Sequence, residues 1–265
     1  MEYVRLGQSG IKVSRICLGT MTFGREADEE TSFRIMDRYL ELGGNFLDTA
    51  DAYSGGVTES LVGRWIEKRG VRDQIILATK VYGTMGPGPN DGGLSRYHIQ
   101  HAVEASLKRL RTDVIDLYQI HRWDPETPIE ETLEALNDVV RQGKVRYLGC
   151  SNLAAWHLAQ YLHSAEKHLW SRFISLQPIY NALNGSIELE LLPLCAAEGL
   201  GVITYNPLAG GMLTGKYKRG EPMPSGARLE AFGFYYERYY TEEALTIVEH
   251  FLQAAQERGV TPAQF

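Results

Sequence analysis

The chain of 265 residues has only three cysteines, Cys17, Cys150 and Cys195, odd in number and far apart. They offer no disulfide framework and no paired zinc-ligand spacing, which points to a reducing cytoplasm. No run approaches the roughly 20 apolar residues of a membrane span. The N-terminus, MEYVRLGQSGIKVSRICLG, has no basic head leading into an apolar core, so no signal peptide is expected. Neither sign of charge dominates: the net charge is -6 and the pI about 5.7. That argues against a general nucleic-acid or membrane surface. A GxGxxG stretch after the first strand is also missing, which disfavours a doubly wound dinucleotide fold. Residues 210–216, GGMLTGK, approximate a phosphate loop through the lysine, but Tyr217 stands where that loop needs Ser or Thr. His98 and His101 lie three apart on a helix, and no third ligand accompanies them. They read as a solvated pair, and no metal is expected.

What is present is regular alternation. Hydrophobic residues make up 44% and charged residues 23%, ordinary for a globular protein. A short hairpin turning at residues 7–10 leads to a first core strand near 15–19. Amphipathic helices over 28–43, 58–70, 95–110, 128–143, 152–166 and 187–199 then precede the strands NFLD, QIILATK, VIDLYQIH, VRYLGCS, FISLQ and LGVITYN. Such alternation predicts right-handed βαβ units on a parallel sheet. With no break in composition, residues 1–265 read as one domain. A last helix covers 241–259, and TPAQF opens another. Only seven core strands can be counted, whereas a closed (β/α)8 barrel needs eight. The eighth βα unit is therefore expected to lie outside the chain, leaving the barrel incomplete at its C-terminal end. Two loops stand out. Residues 83–94 are too rich in Gly and Pro for regular structure. Residues 208–240 are long for a connection and read as a binding loop or lid.

Four polar side chains interrupt or follow buried strands: Asp48 in GNFLDTADAY, Tyr53 five residues later, Lys80 in IILATK, and His121 in VIDLYQIH. A strand buried on both faces should read as a continuous apolar run. Alternate residues share a face, so Asp48 goes with Phe46, Lys80 with Ala78 and His121 with Gln119. Singly, an Asp–Lys pair is more often a structural ion pair, and a lone His a satisfied core residue. Three successive strand ends carrying such groups point instead to a proton-donating site at the C-terminal mouth of a barrel.

Several of these segments carry a resemblance. FLDTADAYSGGVTESLVGRW, LATKV, DLYQIHR, GKVRYLGCSN, LQPIYN and YNPLAGGMLTGKY resemble the aldo-keto reductase superfamily nearly end to end. YNPLAGGMLTGKY and SNLAAWHLAQ are most similar to its aflatoxin-aldehyde reductase branch and bacterial relatives. The resemblance implies a (β/α)8 TIM barrel that reduces aldehydes or ketones to alcohols with NADPH, NADH being the alternative cofactor. It places the catalytic four on Asp48, Tyr53, Lys80 and His121, with Tyr53 as proton donor. It places the nicotinamide carboxamide on Ser151, Asn152 and Gln177, with Tyr205 stacked on the ring. Gly19, Thr20, Met21, Asn206, Pro207, Leu208 and Gly210 would also line the cofactor, and Lys216 and Arg228 would neutralise phosphate. Asn206 stands where many members have Ser. Met21, Phe23, Tyr82 and Trp123 follow strands one, three and four and would wall the substrate pocket. The alternative to an enzyme is a cofactor-binding regulatory subunit resembling potassium-channel β subunits. The expected partner is a small carbonyl compound in the cytoplasm, with a homo-oligomer left open. In FGFYYERYY, the spacing of residues 232, 236, 239 and 240 predicts a packing stripe, with a substrate lid as the alternative.

Overall fold

The computed structural model describes residues 1–265. The chain divides into two compact units, Met1–Gln177 with Glu190–Ile203, and Pro178–Leu189 with Thr204–Phe265. No helix is long and apolar enough to cross a membrane.

The first unit opens with an antiparallel hairpin, β1 (Tyr3–Arg5) and β2 (Lys12–Ser14). Seven parallel strands follow, ordered as in sequence: β3 (Leu18–Gly19), β4 (Phe46–Asp48), β5 (Ile76–Val81), β6 (Ile115–Ile120), β7 (Val145–Ser151), β8 (Phe173–Gln177) and β9 (Gly201–Val202). Between them run α1 (Glu29–Glu41), α2 (Val57–Arg69), α3 (Arg96–Leu110), α4 (Ile129–Arg141), α5 (Ala155–His168) and α6 (Leu191–Ala197). This curled, seven-stranded sheet with its hairpin is of the (β/α)8 type, and it has no eighth strand.

The local causes are visible. Asp28 caps α1 by accepting from the Thr31 amide at 2.8 Å, and Glu29 and Glu30 in the first turn favour the positive end of the helix dipole. Phe33, Met36 and Tyr39 give α1 its buried stripe. All of β6 is buried, as is β5 beyond Ile76, as expected of strands covered on both sides.

Two expectations fail here. The helix over 187–199 is a single turn at Ser186–Glu188 followed by the shorter α6. Pro193 lacks an amide hydrogen and would clash with the carbonyl four residues back, so it is confined to the first turn of a new helix. His98 is not solvated. It lies on the buried stripe of α3 with Ile99, Ala102 and Val103, and is 4% exposed.

In the second unit, Ile179 and Tyr205 form a parallel bridge. Ala209, Met212, Leu213, Tyr217, Leu229, Tyr235, Tyr239, Leu245 and Val248 form its core. Two short helices, α7 (Arg228–Ala231) and α8 (Gly233–Tyr239), lie within the expected loop 208–240, and α9 (Glu242–Glu257) follows it. The predicted aromatic stripe holds in part: Tyr239 is buried, and Phe232 and Tyr240 pack against this core. Phe232 is extended, with φ -133° and ψ 99°, so the helical count restarts at Gly233. Tyr235 is therefore buried where Tyr236 was expected, and Tyr236 is exposed.

Candidate active site

The inward-facing residues of the sheet change character along the strands. At one end, Phe46, Ala78, Leu117 and Ile203 cluster with Leu6 and Val13 of the hairpin region. Two residues further on, the same parity brings Asp48, Lys80 and Gln119 inward. Lys80 pairs in register with Gln119, Gln119 with Gly149, and Gly149 with Ser175. An apolar layer is thus overlaid by a polar one, at the end where the βα loops emerge.

Lys80 is the centre of this layer. Its ammonium is 1% exposed and donates to Asp48 Oδ2 at 2.5 Å, Thr49 O at 3.0 Å and Tyr53 Oη at 3.2 Å. Burial alone would push its pKa down. The Asp48 carboxylate and the Tyr53 hydroxyl outweigh that cost, and the net shift is upward. Lys80 therefore stays charged. His121 begins the loop after β6, with its ring edge-on to Tyr53 and centroids 5.8 Å apart. Burial, then the charges of Lys80 and Arg122, push its pKa down to about 3. At neutral pH it is an uncharged imidazole with one N–H to donate. The four residues singled out from the sequence are thus neighbours in the first unit.

Tyr53 is held by an unusual turn. Ser54, Gly55 and Gly56 all have positive φ, at 49°, 62° and 89°. A side chain at residue 56 would be strained twice, by that φ and by a Cβ only 2.9 Å from Arg109 Cδ. The turn ends one loop and starts α2 at once, leaving the phenol partly exposed above the buried ammonium.

The other predicted residues fall as follows. Thr20 is buried, and its amide and hydroxyl both bond Asp48 O at 2.9 Å. Gly19 is exposed and Met21 half-buried. Ser151 Oγ donates to Gln177 O at 2.7 Å, and Asn152 Nδ2 donates to His121 O and to Ser151 Oγ, both at 3.0 Å. Asn152 takes a left-handed φ of 55°, which Asn tolerates better than most residues. Gln177 turns its Nε2 to Asp48 Oδ1 at 2.9 Å, so its oxygen end is left to accept. This hydroxyl and these two amides suit a carboxamide partner, which both donates and accepts.

Of the wall residues, Phe23 is 2% exposed and packed in the core, which leaves it little surface for a ligand. Tyr82 is half-buried, with Arg122 over its ring at 5.2 Å. Trp123 lies against His157, with ring centroids 3.8 Å apart and the planes tilted by 34°, and meets Trp156 edge-on at 5.6 Å.

In the second unit, Tyr205 is half-buried and Pro207 exposed, and Leu208 packs against the core. Asn206 has both polar ends engaged: Nδ2 donates to Tyr239 Oη and Oδ1 accepts from the Gly210 amide, each at 2.8 Å. Lys216 is exposed, with its ammonium 5.2 Å from the Tyr217 ring centroid. Arg228 lies 5.6 Å from the centroid of Tyr235.

Two residues were not singled out from the sequence. Gln119 is fully buried and donates from Nε2 to Asp48 Oδ1 at 2.9 Å. The available signal was a polar residue in an apolar run, on the same face as His121. Asp51 is also fully buried and accepts from the amides of Ala52 at 2.6 Å and Tyr82 at 3.3 Å. It ties the Tyr53 loop to the loop after β5. Burial, and then the nearby Glu59 carboxylate, push its pKa up to about 6.

Several known proteins are similar to this chain. The oxidoreductase YrpG of Bacillus subtilis is 48% identical over 226 residues, covering 82% of this chain and 69% of that protein. The versiconal hemiacetal acetate reductase of Aspergillus parasiticus is 40% identical over 237 residues, covering 80% of this chain and 69% of that protein. A probable voltage-gated potassium channel β subunit of Arabidopsis thaliana is 39% identical over 269 residues, covering all of this chain and 81% of that protein. The aldo/keto reductase family model matches residues 15–265, and the chain belongs to that family.

Proposed function

We propose that the protein reduces aldehydes or ketones to alcohols with NADPH, Tyr53 serving as proton donor. One observation carries the reading: a buried ammonium, Lys80, bonds both a carboxylate and the hydroxyl of a partly exposed tyrosine. A free phenol has a pKa near 10, too high for ready proton exchange at neutral pH. The interaction that raises Lys80 acts reciprocally on Tyr53 and favours its ionised form. Asp48 keeps Lys80 charged. His121, being neutral, donates a hydrogen bond to the substrate carbonyl and sets its pose. A bound nicotinamide supplies the hydride. Tyr53 gives its proton to the oxygen as negative charge develops there, and Lys80 stabilises the phenolate that remains.

Ser151, Asn152 and Gln177 would hold the carboxamide. Lys216 and Arg228 are the reason for preferring NADPH to NADH, because their positive charges suit a 2′-phosphate. Half-buried aromatics after β5 and β6, Tyr82 and Trp123, suit an apolar carbonyl substrate. The likeness to a channel β subunit supports a second reading, in which the cofactor is bound without sustained turnover. NADPH oxidation followed against a panel of aldehydes separates the two. Steady turnover supports the enzyme, and tight NADPH binding with no aldehyde-dependent oxidation overturns it.

A further inference from the structure

We propose that Gln119 is a positioning residue, which fixes the Asp48 carboxylate so that its second oxygen faces Lys80. The inference rests on the reading of Tyr53 and Lys80 given above and adds a member to that chain.

Asp48 divides its bonds unevenly. Oδ2 takes the ammonium of Lys80, while Oδ1 takes two amide donors, Gln119 Nε2 and Gln177 Nε2, each at 2.9 Å. A carboxylate turns readily about its last torsion. Two donors converging on one oxygen stop that rotation and hold the other oxygen against Lys80. Of the two, Gln177 is the residue assigned to the cofactor, and Gln119 has no such second duty.

Gln119 is also costly where it stands. It is fully buried, and its own oxygen has no hydrogen-bond partner. An unsatisfied buried acceptor is costly, and an apolar side chain of the same shape would escape that cost. Gly149 leaves room for it. A Cβ at residue 149 would lie 3.0 Å from Gln119 Cγ and 2.8 Å from Ser175 Oγ. A half-satisfied amide facing inward from β6, with a glycine opposite it in register, is a poor packing solution. It is a sound way to bring an N–H to Asp48.

Two variants test this. Gln119→Met keeps the length and removes the donor. It should lower kcat about tenfold, the kinetic equivalent of roughly one hydrogen bond. The KM for the aldehyde and the affinity for NADPH should stay within about twofold, because residue 119 is fully buried. Gln119→Glu supplies an acid whose pKa is raised by burial and by Asp48. While protonated it donates O–H to Asp48, so kcat should approach the parent's at acid pH and fall as the new carboxyl ionises. Parental kcat and pH profile in both variants would overturn the proposal. So would a loss in melting temperature with no pH dependence in Gln119→Glu, which would make Gln119 a packing residue. A Tyr53→Phe variant that keeps turnover would remove the reading underneath, and the proposal with it. Loss of turnover in Tyr53→Phe with none in Gln119→Met would overturn this inference alone.

Discussion

Adjacent residues of β5 serve two buried ion pairs, and the pairs are built differently. Thr79 faces outward and donates to Glu59 Oε1 at 2.5 Å, while Glu59 Oε2 takes Ser106 at 3.2 Å and Arg109 at 2.7 Å. That pair is closed, since its hydrogen bonds all run among α2, α3 and β5. Lys80 faces inward, and its pair with Asp48 is open at one end. The third bond of its ammonium goes to Tyr53, whose ring is partly exposed. Both pairs satisfy the requirement that a buried charge be matched. Only the second passes its charge on to a partly exposed group. A pair that ends on its own partners holds helices together, and one that ends on a phenol can shift the pKa of that phenol.

Breaking the open end should have the largest effect. Tyr53→Phe removes the hydroxyl and should lower carbonyl reduction by about 100-fold to 10,000-fold. NADPH affinity measured by fluorescence titration should barely move. Turnover within threefold of the parent would take Tyr53 out of the donor role.

Breaking the closed pair should do the reverse. Glu59→Gln leaves Arg109 without a counter-charge and should destabilise the fold by about 3 kcal/mol in urea unfolding, a figure at the low end because Arg109 is 21% exposed. At temperatures where the variant is folded, kcat should stay within about twofold. A large kcat loss in a folded sample would erase the distinction between the two pairs.

The smallest effect concerns Asp51, which lies near Glu59 in charge and near Tyr53 in sequence. Its folded pKa of about 6 lies above the unfolded value near 3.9. The native state therefore binds more protons between those values, and stability contributed by Asp51 rises as pH falls through that window. Above pH 6 the buried charge is a liability. Asp51→Asn should remove the loss of stability that the parent shows as pH rises from about 4 to 6, so the difference between parent and variant should change across that range. An unchanged difference across that range would show that Asp51 does not titrate as its surroundings imply.

The inward pair was legible in the sequence because it broke a strong rule. Lys80 and Asp48 end apolar strands, and parity placed both on one face. Glu59 and Asp51 were not legible. Glu59 sits in a helix, where a carboxylate is unremarkable, and its burial depends on Arg109, 50 residues away. Asp51 lies in a loop, where polar residues are the norm. Gln119 was noted only as a face-mate of His121, because a neutral amide signals less than a charge. The alternation of strands and helices was plain, whereas the phase of residues 232–240 was not. One extended residue, Phe232, put Tyr235 in the core in place of Tyr236, while Tyr239 stayed buried as expected.

The central claim is that Lys80 lowers the pKa of Tyr53, and ultraviolet titration tests it most directly. The chain has 15 tyrosines, so the difference between the parent and Tyr53→Phe isolates one. The account predicts that this difference titrates below the ordinary phenol value of about 10, and that Lys80→Met moves it back up to that value or beyond. A Tyr53 signal at or above 10 in the parent, unmoved by Lys80→Met, would contradict it.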